Sequence, residues 1–311
     1  MQLHQLSYAL AVAEERHFTR AAARLHLAQP SLSRQVRLLE HELGVVLFNR
    51  KPGQGSVSLT AEGEALLPFI RRVLADVDAT AAEARALTGM VRGRLSIGAT
   101  PSLITRVLAP VLVQFHASHP GIEFLLVEAG SRQLVRQLGS GEVDLALVVL
   151  PITDPQVATT PLFDDPLVLA VAPEHPLASR RRVTVADLHA LPLIMFREGY
   201  DLRAVTMAAC LEAGVQPRLV SEGGEMDGVL ALVASGLGAA VVPAIALPAE
   251  PSLSAVPFAH PGLQRTVALA HRADRPVPRP ARALATLLEA GATAVAPAPC
   301  AGEAPAGRSG A

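Results

Sequence analysis

The sequence predicts an α-helical N-terminal module of the winged helix-turn-helix type, then a long helix, then a two-lobed α/β body. Three observations lead to this prediction. Short helical patterns separated by a tight break fill the first 60 residues, apolar residues recur at spacings of four and three over residues 61–88, and strand-like runs alternate with helical patterns over residues 94–290. We therefore expect these three segments to be successive parts of the molecule.

The first segment contains three helical patterns and a hairpin. Apolar residues recur at helical spacing from residue 3 to residue 13 and begin the first helix. Thr19 is a suitable N-cap for a short second helix, Pro30 suits the first turn of a third, and Gly44 ends that third helix. Residues 47–60 follow as two short strands around a Gly-rich turn, which is the hairpin called the wing.

The second segment, residues 61–88, has the apolar spacing of a coiled-coil seam, so we expect it to be a dimerisation helix. Pro68 lies within its first turns and is expected to kink or delay it. The alternative is an amphipathic helix that lies on its own domain. The residues predicted to form the dimer contact are Leu66, Ile70, Val73 and Val77.

The third segment is predicted to contain a parallel α/β sheet divided between two lobes. The first lobe is expected at about 94–164 and 265–290, and the second at about 165–264. Residues 291–311 are rich in Ala, Pro and Gly and are predicted to be a disordered tail.

The charge distribution favours a protein that places one end on nucleic acid. The net charge is −1, but residues 1–60 hold seven Arg or Lys against four Glu, so a basic module precedes an acidic body. The two cysteines, Cys210 and Cys300, exclude a disulfide scaffold and a Cys-based zinc site. His116 and His119 form an isolated H-x-x-H, which we interpret as surface helix residues, so no metal site is predicted.

We expect a cytoplasmic protein without a membrane span. Glu14, Glu15 and Arg16 interrupt the N-terminal region early, which does not fit the layout of a signal peptide. Residues 228–249 carry no charge and could in principle cross a bilayer. Because Gly and Pro punctuate this run, a buried helix, a turn and a buried strand are the better interpretation.

Residues 18–40, FTRAAARLHLAQPSLSRQVRLLE, resemble the helix-turn-helix of LysR-type transcriptional regulators. GVVLFNR at 44–50 and LTAEG at 59–63 are similar to the flanks of that family's wing, and GEVDLAL at 141–147 and GLGAAVVP at 236–243 are similar to its sensing domain. The likeness covers residues 1 to about 290 in the expected order. Ala28 departs from it, since Ser or Thr is common there, and this removes an N-cap worth about 1 kcal/mol.

The resemblance implies a sequence-specific DNA-binding transcriptional regulator, either an activator or a repressor, controlled by a small-molecule effector between two lobes like those of periplasmic binding proteins. It implies double-stranded promoter DNA, a second copy of the chain and RNA polymerase as partners, with a homodimer or a dimer of dimers as the assembly. We expect no cofactor and no catalytic activity, and a location in the cytoplasm on the nucleoid.

A helix that reads DNA presents its N-terminal side chains to base edges in the major groove. Gln29 can bind adenine with two hydrogen bonds, Arg34 can bind guanine or a phosphate, and Pro30 can touch a thymine methyl group. The alternative for these residues is a solvated helix face. The predicted DNA-binding residues are Thr19, Arg20, Gln29, Pro30, Ser31, Ser33, Arg34, Gln35, Arg37, Arg50 and Lys51.

Ligands of open α/β lobes bind at the carboxyl ends of strands, where helix N-termini also lie. Hydroxyl groups and an arginine at such positions favour a small anion, most plausibly a carboxylate. Two readings oppose this: Arg197 could form a surface ion pair with Glu198 or Asp201, and Glu222 counts against an anion. The predicted effector-binding residues are Thr100, Ser102, Gly130, Ser131, Phe196, Arg197, Arg203, Glu222 and Met226.

Two other classes of protein are alternative interpretations of this sequence. A free-standing solute-binding protein would need an export signal and no basic helix-turn-helix. An enzyme of α/β build would need a motif that this chain lacks, such as G-x-S-x-G or a phosphate loop. Gly236-Leu237-Gly238 follows a helix and opens a strand, which is the reverse of the dinucleotide fingerprint, and Cys210 is expected to be packed in a helix.

Overall fold

The computed structural model describes residues 1–50, 56–87, 93–247 and 252–295. The chain forms two compact units. The first comprises Met1–Arg92 with Gln137–Glu142, and the second comprises Gly93–Arg136 with Val143–Ala311.

Three helices begin the first unit: α1 (Leu3–Glu15), α2 (Phe18–Arg24) and α3 (Gln29–Leu43). Gly44 ends α3 in the left-handed conformation at φ 71°, a backbone geometry that a residue without a Cβ adopts at little cost. The N-cap of α2 is His17 rather than the predicted Thr19, because the Nδ1 atom of His17 accepts a hydrogen bond from the backbone N–H of Thr19 at 3.1 Å.

The wing and the long helix complete this unit. Strands β1 (Phe48–Arg50) and β2 (Val57–Leu59) pair antiparallel, as the sequence predicts for the wing. Lys51 lies outside the described residues. Helix α4 (Ala61–Leu87) follows and contains Pro68, which has no N–H to donate to the carbonyl oxygen one turn earlier.

The start of α4 packs on the core of the first unit, which corrects part of the predicted dimer contact. Ile70 is 6% exposed and belongs to the same buried cluster as α1 and α3, and Leu66 packs against that cluster. Val73 and Val77 are each 40% exposed, and Phe69 is 64% exposed. The exposed apolar side of this helix therefore runs through positions 69, 73 and 77, because the side that carries Ile70 is already occupied.

The second unit begins with three parallel strands, β3 (Gly93–Ala99), β4 (Ile122–Glu128) and β5 (Leu145–Val149), with β3 in the middle. Helices connect these strands, as expected for parallel pairing. The connecting helical segments are α5 (Pro101–Leu103), a π-helical turn (Ile104–Leu108), α6 (Ala109–Ser118) and α7 (Ser131–Ser140).

The predicted all-parallel sheet is wrong for the strands that connect the two halves of this unit. Strand β6 (Val157–Val171) is 15 residues long and runs antiparallel to β11 (Gln264–Arg272), which in turn pairs antiparallel with β5. The first half of β6 has polar residues and prolines that hide its strand pattern in the sequence.

The remaining elements lie between β6 and β11. Strands β7 (Pro192–Met195) and β8 (Arg218–Glu222) form a parallel pair, whereas β9 (Ala240–Pro243) and β10 (Ser254–Pro257) both pair antiparallel with β6. The helical elements are a 3₁₀ turn (Val185–Leu188), α8 (Asp201–Glu212), α9 (Met226–Ala234) and a second 3₁₀ turn (Ala244–Ala246).

Buried side chains of the second unit form two cores. One core draws on residues between 95 and 163 and between 267 and 292, and the other on residues between 167 and 258. We call the regions around them the first and second lobes. The change from one core to the other falls inside β6 and shortly before β11, so β6 contributes to both cores and β11 to the first.

The C-terminal helix α10 (Arg279–Val295) extends beyond the predicted helix end. Residues 291–295 are helical, so the predicted disordered tail is wrong for them, and residues 296–311 lie outside the described part of the chain. Among the described residues, no helix is both long enough and apolar enough to cross a membrane. The uncharged run at 228–249 instead supplies most of α9, a turn and β9.

Candidate functional site

The N-terminal half of α3 is divided into a buried and an exposed side. Leu32, Val36 and Leu39 are completely buried in the core of the first unit. Gln29, Pro30, Ser31 and Arg34 are exposed on the other side, and Gln35 is half-buried, its side-chain oxygen accepting a hydrogen bond from Gln5 Nε2 at 3.2 Å. The predicted separation of core residues from surface residues on this helix is confirmed.

The exposed residues of α2 are held by the end of α1. Arg20 donates a hydrogen bond from its guanidinium group to the backbone carbonyl of Glu15, and its Nε atom lies 3.6 Å from a carboxylate oxygen of the same residue. Thr19 is exposed beside it. Arg20 therefore carries a carboxylate partner in the free protein.

Two predicted DNA-binding residues, Ser33 and Arg50, are engaged inside the first unit. Arg50 Nη2 lies 2.7 Å from Glu40 Oε2, and its guanidinium group lies over the ring of Phe18 at 4.9 Å from the ring centroid. Ser33 is 8% exposed, and its hydroxyl oxygen accepts hydrogen bonds from Arg50 at 3.4 Å and Arg37 at 3.3 Å. These contacts join α3 to the wing, and they bury Ser33 while Arg50 remains exposed.

The second unit contains a pocket of about 350 Å³ between its two lobes. This volume is within the range of small-molecule sites, which begins at roughly 300 Å³. Of the predicted effector-binding residues, Ser102 and Met226 line it directly. The lining residues are Pro101, Ser102, Thr105, Arg106, Glu128, Glu225, Met226, Asp227, Leu230 and Ala246.

The end of β3 carries a hydroxyl group without a partner. Thr100 follows this strand, is 2% exposed, and its Oγ1 atom has no hydrogen-bond partner among the described residues. Ser102, two residues on, accepts a hydrogen bond from Arg265 Nη2 at 3.1 Å. A buried polar group that lacks a partner is rare and costly, so the Thr100 hydroxyl is available to a ligand or a water molecule.

Arg265 was missed by the sequence analysis. It is 3% exposed and forms two hydrogen bonds to Asp165 Oδ2, at 3.0 and 2.8 Å. Burial raises the pKa of Asp165 and the neighbouring Arg265 opposes that rise. The sequence did contain a signal, because Asp165 and Arg265 are charged residues within apolar strand patterns. A charge that is buried in a sheet needs a partner of opposite charge.

Ser131 and Gly130, which were predicted to bind the effector, lie where the two lobes meet and are not among the residues that line this pocket. Ser131 donates from its hydroxyl to Asp201 Oδ2 at 2.6 Å and from its backbone N–H to the same oxygen at 3.2 Å, and its hydroxyl accepts from the Val149 N–H at 2.8 Å. A Cβ atom on Gly130 would lie 3.0 Å from the carbonyl oxygen of Gly199, so the two loops approach too closely there for a side chain to fit easily.

The arginines predicted to attract an anion carry carboxylate partners. The Arg197 Nε atom lies 3.1 Å from Glu225, and Arg203 lies 2.8 Å from Glu222. The predicted alternative of an ion pair for Arg197 is right in kind, but its partner is Glu225. With Glu128, Glu225 and Asp227 against Arg106, the pocket lining is negative. This lining does not favour the small anion that the sequence analysis expects.

Aromatic side chains support the second-lobe wall. Phe196 is 1% exposed and its ring stacks on that of Tyr200 at 5.1 Å between centroids. The Tyr200 hydroxyl is buried and has no hydrogen-bond partner among the described residues. Burial, and after it the charge of Glu225, raises the pKa of Tyr200. Phe196 therefore packs against Tyr200, and neither residue lines the pocket.

Neither a reactive thiol nor a metal centre is evident in the described residues. Cys210 is 1% exposed within α8, and burial raises the pKa of its thiol. The described part of the chain has no group of three or more His, Cys, Asp or Glu residues suited to a metal ion. His116 and His119 pack against the rings of Phe124 and Phe115, respectively.

Comparison with known proteins gives matches to both units. Residues 3–64 match the family described as bacterial regulatory helix-turn-helix protein, lysR family, and residues 88–293 match the LysR substrate binding domain. A hydrogen peroxide-inducible genes activator from Pectobacterium carotovorum subsp. carotovorum is 35% identical over 280 residues, covering 89% of this chain and 92% of the relative.

Solved structures are similar to this chain over nearly its whole length. A full-length OxyR variant from Pseudomonas aeruginosa, with a cysteine replaced by aspartate, is similar at a TM-score of 0.75 and 32% identity, covering 93% of this chain and 98% of that one. Full-length CbnR in complex with its target DNA is similar at a TM-score of 0.69 and 26% identity, covering 95% and 100%.

Proposed function

This chain belongs to the LysR family of bacterial transcriptional regulators, and from that premise we propose how its parts serve a DNA-binding regulator with an effector-binding domain. In our proposal the exposed N-terminal end of α3 reads operator DNA in the major groove. The observation that carries it is the division of this helix, where Gln29, Ser31 and Arg34 are exposed while Leu32 and Val36 are buried. A recognition helix needs this division, since its core face fixes the angle at which the other face meets base edges.

We propose specific roles for the exposed side chains. Gln29 and Arg34 read bases, because amide and guanidinium groups form paired hydrogen bonds with adenine and guanine. Thr19, Arg20 and Arg37 contact phosphates and set the register of the helix on the duplex. Arg20 would exchange its contact with Glu15 for a phosphate on binding, which should cost little because that ion pair is exposed.

The assembly we propose is a homodimer, or a dimer of dimers, that binds two half-sites in promoter DNA and works with RNA polymerase in the cytoplasm. The exposed side of α4 at Phe69, Val73 and Val77 supports a contact between copies. A single module buries little surface on DNA, so a second copy strengthens both affinity and specificity. We assign the protein no catalytic activity.

We propose that the pocket between the lobes holds the effector without covalent chemistry. A relative is named for induction by hydrogen peroxide. A thiol that reacts with peroxide needs thiolate character and access, and Cys210 has a raised pKa and is 1% exposed. A bound ligand would favour one arrangement of the lobes by its difference in affinity for the two, and so alter how the protein holds DNA.

The test is selection of binding sites from random duplex DNA by the full-length protein. We expect enriched duplexes with two related half-sites, spaced by about one helical turn or a multiple of it. The matched control is the Gln29→Ala, Arg34→Ala double variant, which should bind DNA through phosphates without enriching any sequence. Enrichment of the same sequences by this variant would refute the roles given to the two side chains.

A further inference from the structure

The charges around the pocket are unevenly matched. Arg197 pairs with Glu225, Arg203 with Glu222 and Arg265 with Asp165. Arg106 donates to the carbonyl oxygen of Leu247 at 2.6 Å. Two further carboxylates, Glu128 and Asp227, line the pocket and form no ion pair or hydrogen bond within the described residues.

These two free carboxylates come from different lobes. Glu128 ends β4 of the first lobe, and Asp227 lies in the first turn of α9 in the second lobe. A carboxylate in the first turn of a helix stabilises the helix dipole, and this explains Asp227 in part. It does not explain Glu128, since the end of a strand offers no comparable field.

Two buried hydroxyl groups without described partners belong to residues near this lining, although neither residue lines the pocket itself. The Oγ1 atom of Thr100 belongs to a residue that is 2% exposed and directly precedes the lining residue Pro101. The hydroxyl of Tyr200 belongs to a residue that is 4% exposed. Its pKa is raised by burial and also by the charges of Glu225 and Glu128, which line the pocket. Both hydroxyls can accept a hydrogen bond from an N–H donor of a ligand.

The remaining lining is suited to an aliphatic chain. Met226, Leu230 and Ala246 from the second lobe and Pro101 from the first are apolar. A methionine at this wall adapts its shape to different ligands because its side chain is unbranched and flexible. The pocket thus combines apolar contact area with acceptors and negative charge.

We propose that this pocket binds a small aliphatic ammonium compound, with its charge between Glu128 and Asp227 and its carbon chain on Met226 and Leu230. The inference rests on the proposed function, in which the pocket is the effector site, and it names the chemical class of the effector. An ammonium group matches Glu128 and Asp227 because it is a donor only, whereas an ionised carboxylate is an acceptor only.

Four probes of the same chain length test the class: 1,4-diaminobutane, butylamine, 4-aminobutanoate and butanoate. Each is titrated calorimetrically into the full-length protein at about 0.15 M salt, where surface charges are screened beyond about 8 Å. DNA is left out, because amines also bind duplex phosphates. We expect both amines to bind, the diamine more tightly, and butanoate not to bind.

Variants locate the binding. Glu128→Gln and Asp227→Asn remove exposed carboxylates without described partners, so the fold should be retained. Each should weaken the binding of 1,4-diaminobutane about tenfold, as loss of a charged hydrogen bond does. Thr100→Val and Tyr200→Phe alter hydroxyls outside the lining and should change the affinity much less. Glu174→Gln, an exposed carboxylate away from the pocket lining, is the matched control and should leave the affinity unchanged.

Two further outcomes are distinguishable. Tighter binding of butanoate or 4-aminobutanoate than of butylamine would overturn the ligand class, as would an affinity for the diamine that the Glu128 and Asp227 variants share with the wild type. The occluding variant Thr105→Trp tests the site itself, since Thr105 is exposed and lines the pocket. If a non-amine binds and Thr105→Trp abolishes that binding, the effector site stands and only the ammonium inference fails.

Discussion

The carboxylate of Glu40 joins α3 to the wing through Arg50. Its Oε2 atom accepts from Arg50 Nη2 at 2.7 Å, and its Oε1 atom accepts from the backbone N–H groups of Leu47 at 2.9 Å and Phe48 at 3.3 Å. One buried side chain therefore fixes the first strand of the wing against the helix that we propose reads DNA. Charged groups that satisfy several donors in this way specify geometry as well as stability.

Glu40→Ala should loosen the wing. The variant leaves two backbone donors and Arg50 without their acceptor, which should lower the free energy of unfolding by about 1–3 kcal/mol. We also expect weaker DNA binding, because the wing no longer holds a fixed position beside α3. Chemical denaturation and fluorescence anisotropy measure the two effects. Glu62→Ala, an exposed carboxylate of α4, is the control, and equal behaviour of the two variants would exclude the role given to Glu40.

The two sides of α4 should respond differently to substitution. Val73→Asp places a charge on the exposed side and should dissociate the dimer while the folded unit persists. Ile70→Ala opens a cavity in the core and should lower the free energy of unfolding by about 2–5 kcal/mol. Sedimentation and thermal unfolding separate these effects. Unchanged association of Val73→Asp would show that the copies meet elsewhere.

The buried hydroxyl of Tyr200 predicts a stability change with pH. Its raised pKa means that the unfolded chain loses this proton first as pH rises above about 10, so the folded state loses stability over the alkaline range beyond that pH. Tyr200→Phe should flatten this decline. At neutral pH the same variant should stabilise the protein by about 1 kcal/mol, since it removes an unpartnered hydroxyl. A decline as steep as that of the wild type would contradict the burial of this group.

Cys210 should resist thiol reagents in the folded protein. Its thiol is 1% exposed and burial raises its pKa, so little reactive thiolate is present at neutral pH. In a Cys300→Ser background, we expect iodoacetamide to label Cys210 only after denaturation. Rapid labelling of the folded protein, or loss of DNA binding after peroxide treatment that Cys210→Ala prevents, would instead favour regulation through this cysteine.

The parts of the fold that follow from local periodicity were predictable. Helix α3 alternates buried and exposed residues with helical period, so the side of Leu32 and Val36 could be identified from spacing alone. The exposed side of α4 was partly misassigned, because periodicity shows that Ile70 is buried but does not show whether a second copy or the same unit covers it.

The parts that depend on distant pairing were not predictable. Asp165 and Arg265 lie 100 residues apart and meet only because β6 and β11 pair antiparallel. The partner of Arg197 was misidentified for a similar reason, since Glu225 lies on another element whereas the candidates we weighed were its neighbours in sequence. The pocket lining brings together residues of both lobes, and so the ligand class could not be predicted from strand ends alone.

The most direct test of the account is the sequence discrimination of the Gln29→Ala, Arg34→Ala double variant. We propose that these two side chains read bases, so the double variant should lose about 1–3 kcal/mol of discrimination for each reading contact and still bind nonspecific DNA at low salt. His41→Ala, an exposed residue near the other end of α3, is the matched control and should discriminate like the wild type. The measurement is the ratio of dissociation constants for the selected operator and a scrambled duplex at one fixed salt concentration. A ratio near one for the double variant is the result we predict, and a ratio equal to that of the wild type would contradict the central claim.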